Sequence, residues 1–272
     1  MNIDLSSYRQ RFLDYVSGFR DVPDAAPLRL KVEHTFRVVE HAQRIVDSLA
    51  EDAFETAWAE NADVCRAVVL AALYHDCGRF PQFRRYRTFL DAKSVNHALL
   101  SFQTIRDGDF LRGETRRVRH LVQCGVLLHN RYALSPKLNT EARFVTDAVR
   151  DSDKLDIFRV MVGYLDHALP ERDAVLLHVQ DEPDRWTPKI AEDVMEGRVS
   201  RYTDLKFVND FRLLLGTWTL ELRFAATRRA LAESGLMESV LSGLPDAPAL
   251  LPAKKKLYAL LEHCREGGGE RP

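Results

Sequence analysis

Apolar residues recur every three or four positions along most of the chain, the spacing that places them on one face of an α-helix. Helices are predicted near residues 8–19, 28–49, 63–76, 94–105 and 114–128, with one or two more over 141–169. Gly78 follows the third of these and is typical of a helix C-terminus. Apart from a short ambiguous stretch at 174–179, the alternation of period two that marks strands is absent. The sequence therefore predicts an all-α fold.

A break in the helical pattern comes at Asp181-Glu182-Pro183-Asp184, followed by Pro188. Further helices are predicted after it, near 189–196, 204–232, 235–241 and 252–262. We interpret residues 1–180 as the main helical domain. Residues 181–272 are interpreted as a C-terminal helical extension packed on it.

Charge and cysteine usage narrow the class of protein. The chain has 39 Lys and Arg against 40 Asp and Glu, a net charge of −1, so we expect no partner that is a long nucleic acid. The longest apolar stretches, 64–74 and 121–128, are too short to cross a bilayer, and we expect no membrane association. Four scattered cysteines and a start without a basic and apolar leader favour a cytoplasmic protein.

The apolar segment before residue 75 ends in two neighbouring residues of metal-ligand type, His75 and Asp76. Polar side chains at the end of a buried helix are costly unless something binds them. Neutral imidazole and carboxylate together suit Mn, Fe, Co, Ni or Zn. Other residues of the same types stand at the ends or starts of predicted helices or within them: His34, His97, His129 and Asp153.

In this order, His … His-Asp … His … His … Asp, the residues resemble the HD-domain superfamily of metal-dependent phosphohydrolases. Residues 73–79, Leu-Tyr-His-Asp-Cys-Gly-Arg, are similar to one sequence box of that family. Residues 151–156, Asp-Ser-Asp-Lys-Leu-Asp, are similar to a second box, with Ser152 in place of its usual alanine. The resemblance covers about residues 28–165 and implies an HD-domain helical bundle.

The resemblance also implies a set of metal ligands. His34, His75, Asp76 and Asp153 would hold a first divalent ion. His97 and His129 match the additional histidines of members with two metals, in which Asp76 would bridge the ions. One or two ions of Mn, Fe, Mg, Co, Ni or Zn are compatible with this set. The remaining histidines are expected to be surface or packing residues: His41, His120, His167, His178 and His263.

Four arginines and four aromatic residues lie within residues 79–89, directly after the His-Asp pair. We expect this segment to be a loop that leaves the metal site. Guanidinium groups bind phosphate oxygens in pairs and keep their charge at every physiological pH. Arg79, together with Arg84 or Arg85, is therefore a candidate to contact a phosphate in catalysis. Arginines interleaved with aromatic rings also suit a nucleotide or a short oligonucleotide.

The function expected from these features is metal-dependent hydrolysis of a phosphate ester, as a phosphomonoesterase or phosphodiesterase, by a metal-activated hydroxide. The substrate is expected to be a nucleotide or a related small phosphorylated compound. Two alternatives stay open: an HD-fold di-iron oxygenase, and a nucleotide sensor that binds without turnover. A homodimer is compatible with the apolar character of the C-terminal helices.

Overall fold

The computed structural model describes residues 3–23, 25–51, 55–167, 172–176 and 179–266. The prediction of an all-α fold is confirmed, since the described part of the chain contains no strand and only an isolated bridge joins Gln180 and Phe207. No helix within these described ranges combines the length and the apolar character needed to cross a membrane.

The first half of the chain contains eight α-helices and one short 3-10 turn, Asp91–Lys93, among its described residues. The α-helices are α1 (Ser6–Ser17), α2 (Ala26–Ser48), α3 (Thr56–Ala59), α4 (Ala62–Tyr74), α5 (Arg79–Tyr86), α6 (His97–Asp107), α7 (Arg116–Leu128) and α8 (Thr140–Asp166).

Helix α4 is the central element of this half and packs against α2 and α7. Its residues from Val64 to Tyr74 are buried except for Arg66, because the helix is apolar around nearly its whole surface. Its N-cap is Asn61, whose Oδ1 accepts a hydrogen bond from the Val64 amide at 3.3 Å, rather than Asp63 as the sequence indicated. An apolar central helix with its polar residues at the C-terminal end places those residues inside the protein.

The segment that the sequence predicted as an arginine-rich loop is helical, and this is a correction. Residues Arg79–Tyr86 form α5, which begins immediately after Gly78 and ends at Arg87. Three of its side chains, Phe80, Gln82 and Phe83, are buried on one face, and the arginines Arg84 and Arg85 are exposed. The rings of Phe80 and Phe83 therefore belong to the buried face of a helix.

The second half of the chain adds six α-helices and two 3-10 turns, Tyr202–Asp204 and Thr219–Glu221, among its described residues. The α-helices are α9 (Arg172–Val175), α10 (Pro188–Glu196), α11 (Val208–Trp218), α12 (Ala225–Glu233), α13 (Leu236–Ser242) and α14 (Leu251–Arg265). All residues of α11 are buried, and α10, α13 and the 3-10 turn at 219–221 pack against it.

The single helix predicted over 204–232 is instead divided into α11 and α12. Leu222 is extended and buried between them. The buried guanidinium of Arg228 donates hydrogen bonds to the backbone oxygens of Leu222 at 3.1 Å and Arg223 at 2.7 Å. Because this side chain satisfies the carbonyl groups of the bend, the chain can leave the helical conformation there without burying unpaired acceptors.

Backbone contacts divide the chain into two compact units, Met1–Asp153 and Lys154–Pro272, with the boundary inside α8. The break that the sequence placed near residue 180 lies within the second unit. The first unit carries its own core around α4, and the second has a separate core built largely from α10, α11, α13 and α14.

Candidate metal centre

Six side chains converge in one region of the first unit, and we call them the His/Asp cluster. His34 lies on α2, His75 and Asp76 directly follow α4, and Asp153 lies on α8. His97 is the first residue of α6, and His129 directly follows α7. All are buried except the partly exposed Asp153. The structure therefore brings together all six residues that the sequence singled out as metal ligands.

The first group within the cluster contains His34, His75 and Asp153, whose candidate ligand atoms all lie within 4.8 Å of one another. Asp153 Oδ1 lies 3.1 Å from His34 Nε2 and 3.7 Å from His75 Nε2. Asp76 Oδ2 lies 3.7 Å from both of these imidazole nitrogens. Two imidazoles and two carboxylates thus surround one point.

The second group contains His97, His129 and Asp76, again with ligand atoms within 4.8 Å of one another. The two Nε2 atoms face each other at 3.1 Å. Asp76 Oδ1 lies 3.5 Å from His97 Nε2 and 3.9 Å from His129 Nε2. Asp76 therefore presents Oδ2 to the first group and Oδ1 to the second, the arrangement of a bridging carboxylate.

The proton positions on three rings follow from their hydrogen bonds. Each ring donates from Nδ1 to an oxygen that only accepts: His75 to the Ala72 carbonyl at 2.8 Å, His129 to the Val126 carbonyl at 2.8 Å, and His97 to Asp91 Oδ2 at 2.7 Å. A neutral imidazole that carries its proton on Nδ1 has its lone pair on Nε2. This pattern is typical of metal-ligating histidines.

The donor chemistry therefore fits a bound cation. The Nε2 lone pairs of His97 and His129 face each other at 3.1 Å, which is unfavourable unless a positive charge lies beside them. His75 Nε2 is buried and has no hydrogen-bond partner among the described residues. A buried polar atom without a partner costs about 1–3 kcal/mol, and coordination of a metal would remove this cost.

Electrostatics favour the metal-binding protonation states of Asp76 and His129. Burial raises the pKa of Asp76, but Lys31, His75 and Arg79 outweigh it and hold that pKa well below its usual range. Burial, with the neighbouring His97 and His75, lowers the pKa of His129 to about 3. At neutral pH the carboxylate is ionised and this imidazole is neutral, as ligands must be.

Two cationic side chains flank Asp76. Lys31 Nζ lies 2.7 Å from Asp76 Oδ2, and Arg79 Nε lies 3.4 Å from Asp76 Oδ1. Both cations also lie near the Phe89 ring, at 5.7 and 5.8 Å from its centroid. Lys31 was missed by the sequence analysis. Its position three residues before His34, on the same face of α2, is the signal that could have found it.

The structure shows no contact of Arg84 or Arg85 with Asp76 among the described residues. The Arg84 guanidinium donates to the Gly18 carbonyl at 2.6 Å, pairs with Asp21 and lies over the Phe19 ring. The Arg85 guanidinium lies over the ring of its neighbour Tyr86. Both side chains are exposed, since helix α5 turns them away from the face that carries Phe80 and Phe83. Their contacts give no support to a role in binding phosphate.

Asp91 is a second residue that the sequence analysis missed. It lies in the 3-10 turn before α6 and accepts a hydrogen bond from His97 Nδ1. The same carboxylate contacts Arg79 Nη1 at 3.1 Å and Gln82 Nε2 at 2.9 Å. Its pKa is lowered to about 2, because hydrogen bonding and charge from His97 together with the charge of Arg79 outweigh burial. A lone aspartate in an irregular segment gives no sequence signal of this role.

Two other residues near the second sequence box have contacts of their own. The Lys154 ammonium pairs with Glu221 and lies 5.7 Å from the Trp218 ring centroid. Asp156 is fully buried and accepts a hydrogen bond from Arg159 Nε at 3.1 Å. Among the other histidines, His178 lies outside the described residues.

Comparison with known families gives one match. Residues 32–155 match the family model described as HD domain, a range that contains the whole His/Asp cluster. No curated protein and no solved structure matches the chain.

Proposed function

We propose that the protein is a metal-dependent phosphohydrolase acting on a small phosphate ester, on the basis of its His/Asp cluster and the match of residues 32–155 to the HD domain family model. The observation that carries the proposal is the position of Lys31 and Arg79. Both cations lie directly beside Asp76, the residue that faces both groups of the His/Asp cluster. A metal centre flanked by an ammonium and a guanidinium suits a substrate with concentrated negative charge.

We assign His34, His75, Asp76 and Asp153 as ligands of one divalent ion. His97 and His129, with the other oxygen of Asp76, are assigned to a second ion. The predominance of imidazole favours Mn, Fe, Co, Ni or Zn over Mg. Such ions, when bound, lower the pKa of a coordinated water towards neutrality and so provide a hydroxide nucleophile near pH 7.

Arg79 is the residue that we assign to the phosphate. Its Nη1 is held by the Phe89 carbonyl at 2.5 Å and by Gln82 and Asp91 at 3.1 Å each. These contacts fix the plane of the guanidinium, and we assign Nη2, which makes no hydrogen bond to the described residues, to an incoming oxygen. A guanidinium that is already oriented costs less side-chain entropy when it binds a substrate. Lys31 is only 21% exposed and would act as a second, less directional cation.

The thiol of Cys77, next to the cluster, is poorly suited to attack phosphorus. Cys77 directly follows Asp76 but is fully buried. Burial and the Asp76 charge raise the pKa of its thiol well above the usual value, so little thiolate forms at neutral pH. The nucleophile is therefore assigned to water, and the substrate is expected to be a nucleotide or a similar small phosphorylated compound.

The test is phosphate release from a panel of nucleotides, cyclic nucleotides and simple phosphate esters, with protein loaded with Mn²⁺, Co²⁺ or Zn²⁺. Wild type should hydrolyse at least one ester, and Asp76→Asn should lose both the activity and the bound metal. Asp193→Asn is the matched control, because Asp193 is a buried carboxylate that pairs with Arg198 and Ser200 in the second unit. This control should keep both metal and activity.

Other outcomes would contradict the proposal. Two bound irons with oxygen uptake and no phosphate release would identify an oxygenase. Tight nucleotide binding by the metal-loaded protein without any product would identify a sensor. Activity that survives in Asp76→Asn would show that the His/Asp cluster is not the reaction centre.

A further inference from the structure

We propose that Asp91 is a positioning residue that couples the phosphate-binding guanidinium of Arg79 to the metal-ligating imidazole of His97. The inference rests on the proposed function, because that proposal assigns His97 to a metal and Arg79 to the phosphate. Its basis is the division of hydrogen bonds between the two carboxylate oxygens of Asp91.

Oδ1 of Asp91 faces helix α5. It accepts from Arg79 Nη1 at 3.1 Å and from Gln82 Nε2 at 2.9 Å. The Gln82 amide is oriented independently, because Nε2 also donates to the Val95 carbonyl at 3.0 Å and to Ser94 Oγ at 2.9 Å. Both groups that face Oδ1 are therefore donors.

Oδ2 of Asp91 faces the start of α6 and the residue after His129. It accepts from His97 Nδ1 at 2.7 Å, from the His97 amide at 3.3 Å and from Asn130 Nδ2 at 3.4 Å. The bond to Nδ1 keeps the His97 proton on that nitrogen and directs the Nε2 lone pair towards His129 and Asp76. All groups around Oδ2 are also donors.

The consequence is that only a group with two acceptor oxygens satisfies this site. Asparagine has nearly the same shape but offers one acceptor oxygen and one donor nitrogen. In Asp91→Asn the amide can keep His97 or the pair Arg79 and Gln82, and it must place an NH₂ group against donors on the other side. The substitution therefore has to loosen either the metal ligand or the phosphate-binding arginine.

The test uses Mn²⁺ and inorganic phosphate as probes, measured by titration calorimetry on the full chain. If the amide turns its NH₂ towards His97, Asp91→Asn should weaken Mn²⁺ binding by about 10- to 100-fold, the usual effect of losing a group that orients a metal ligand. If the amide turns its NH₂ towards Arg79, phosphate binding at saturating Mn²⁺ should weaken instead. Asp193→Asn, which removes a buried, hydrogen-bonded carboxylate in the second unit, is the control and should leave both affinities unchanged.

A double-variant comparison separates coupling from general disruption. Arg79→Gln should weaken phosphate binding without weakening Mn²⁺ binding. If Asp91 acts on phosphate through Arg79, adding Asp91→Asn to Arg79→Gln should cause no further loss of phosphate affinity. Fully additive losses, or wild-type affinity for both Mn²⁺ and phosphate in Asp91→Asn, would overturn the inference.

A measurement on wild type keeps the inference testable if Asp91→Asn fails to fold. In Zn²⁺-loaded protein, long-range ¹H–¹⁵N correlation spectra should show the His97 proton on Nδ1, and a proton on Nε2 would overturn the inference. If the metal-loaded wild type binds phosphate but hydrolyses no ester, the proposed function is wrong while the effects of Asp91 on Mn²⁺ and phosphate still stand.

Discussion

Replacement of Gly78 by alanine should destabilise the protein by forcing α6 away from the His-Asp segment. Gly78 has an ordinary helical backbone conformation, φ −68° and ψ −17°, so its role is not that of a left-handed cap. A Cβ at this position would lie 2.4 Å from the Ser101 amide nitrogen, 2.5 Å from the His97 carbonyl oxygen and 2.8 Å from the Leu100 carbonyl carbon. These are backbone atoms of a helix, which cannot rotate out of the way.

The magnitude follows from the distances. Ordinary contacts of a Cβ atom begin at 3.4 Å, so the segment and α6 must separate by about 1 Å. Overpacking of this kind costs about 1–3 kcal/mol. The separation also stretches the buried hydrogen bond of 2.8 Å from the Gly78 amide to Ser101 Oγ, worth about 1 kcal/mol. The expected loss is about 2–4 kcal/mol of the free energy of unfolding.

The assay is urea denaturation of metal-free wild type, Gly78→Ala and Gly163→Ala. Gly163 lies within α8, and apart from its chain neighbours and its own helix backbone no atom of the described residues lies within 4 Å of an added Cβ. Alanine there should stabilise the protein by about 0.5–1 kcal/mol, because it restricts the unfolded chain without a steric cost. The two glycine substitutions should thus shift the urea midpoint in opposite directions. A Gly78→Ala midpoint equal to that of wild type would refute the close-packing argument.

Two further predictions concern pH and metal. Burial raises the pKa of Asp193, but hydrogen bonds from Ser200 and Arg198 lower it by more, so the folded pKa lies below the unfolded one. The ionised carboxylate stabilises the fold above about pH 4, and this contribution is lost as the pH falls through the folded pKa. In thermal melts below pH 4, Asp193→Asn should therefore lose less stability than wild type does. A parallel decline of the two proteins would contradict this. Mn²⁺ at 100 times its dissociation constant should stabilise folded wild type by about 2.7 kcal/mol and so raise its melting temperature. The melting temperature of Asp76→Asn should not rise, and an equal rise in both proteins would place the ion elsewhere.

Much of the candidate site could be predicted because its residues stand where the helical pattern ends. His75 and Asp76 follow an apolar helix and His129 follows an apolar run, and buried polar residues at such places are costly unless something binds them. Their residue types indicated a metal before any distance was known. The distances add that Asp76 turns one carboxylate oxygen to each group of the cluster.

The contacts of the arginines could not be predicted from the sequence. The three candidates, Arg79, Arg84 and Arg85, have the same side chain, and each lies within ten residues of Asp76. Because residues 79–86 form a helix, Arg79 faces Asp76 while Arg84 and Arg85 are turned to the exposed side, where Arg84 pairs with Asp21. The segment is short and contains a proline and several aromatic residues, so its sequence did not show the helical spacing of apolar residues.

The sequence by itself determined the all-α class, the helices that carry the cluster and the six side chains of metal-ligand type, since these depend on local periodicity and residue chemistry. Tertiary structure alone decided which partners those side chains have. Lys31 reaches Asp76 across 45 positions of sequence, and Asn130 reaches Asp91 across 39. Such pairs form because helix packing brings distant residues together, and no local pattern records that packing.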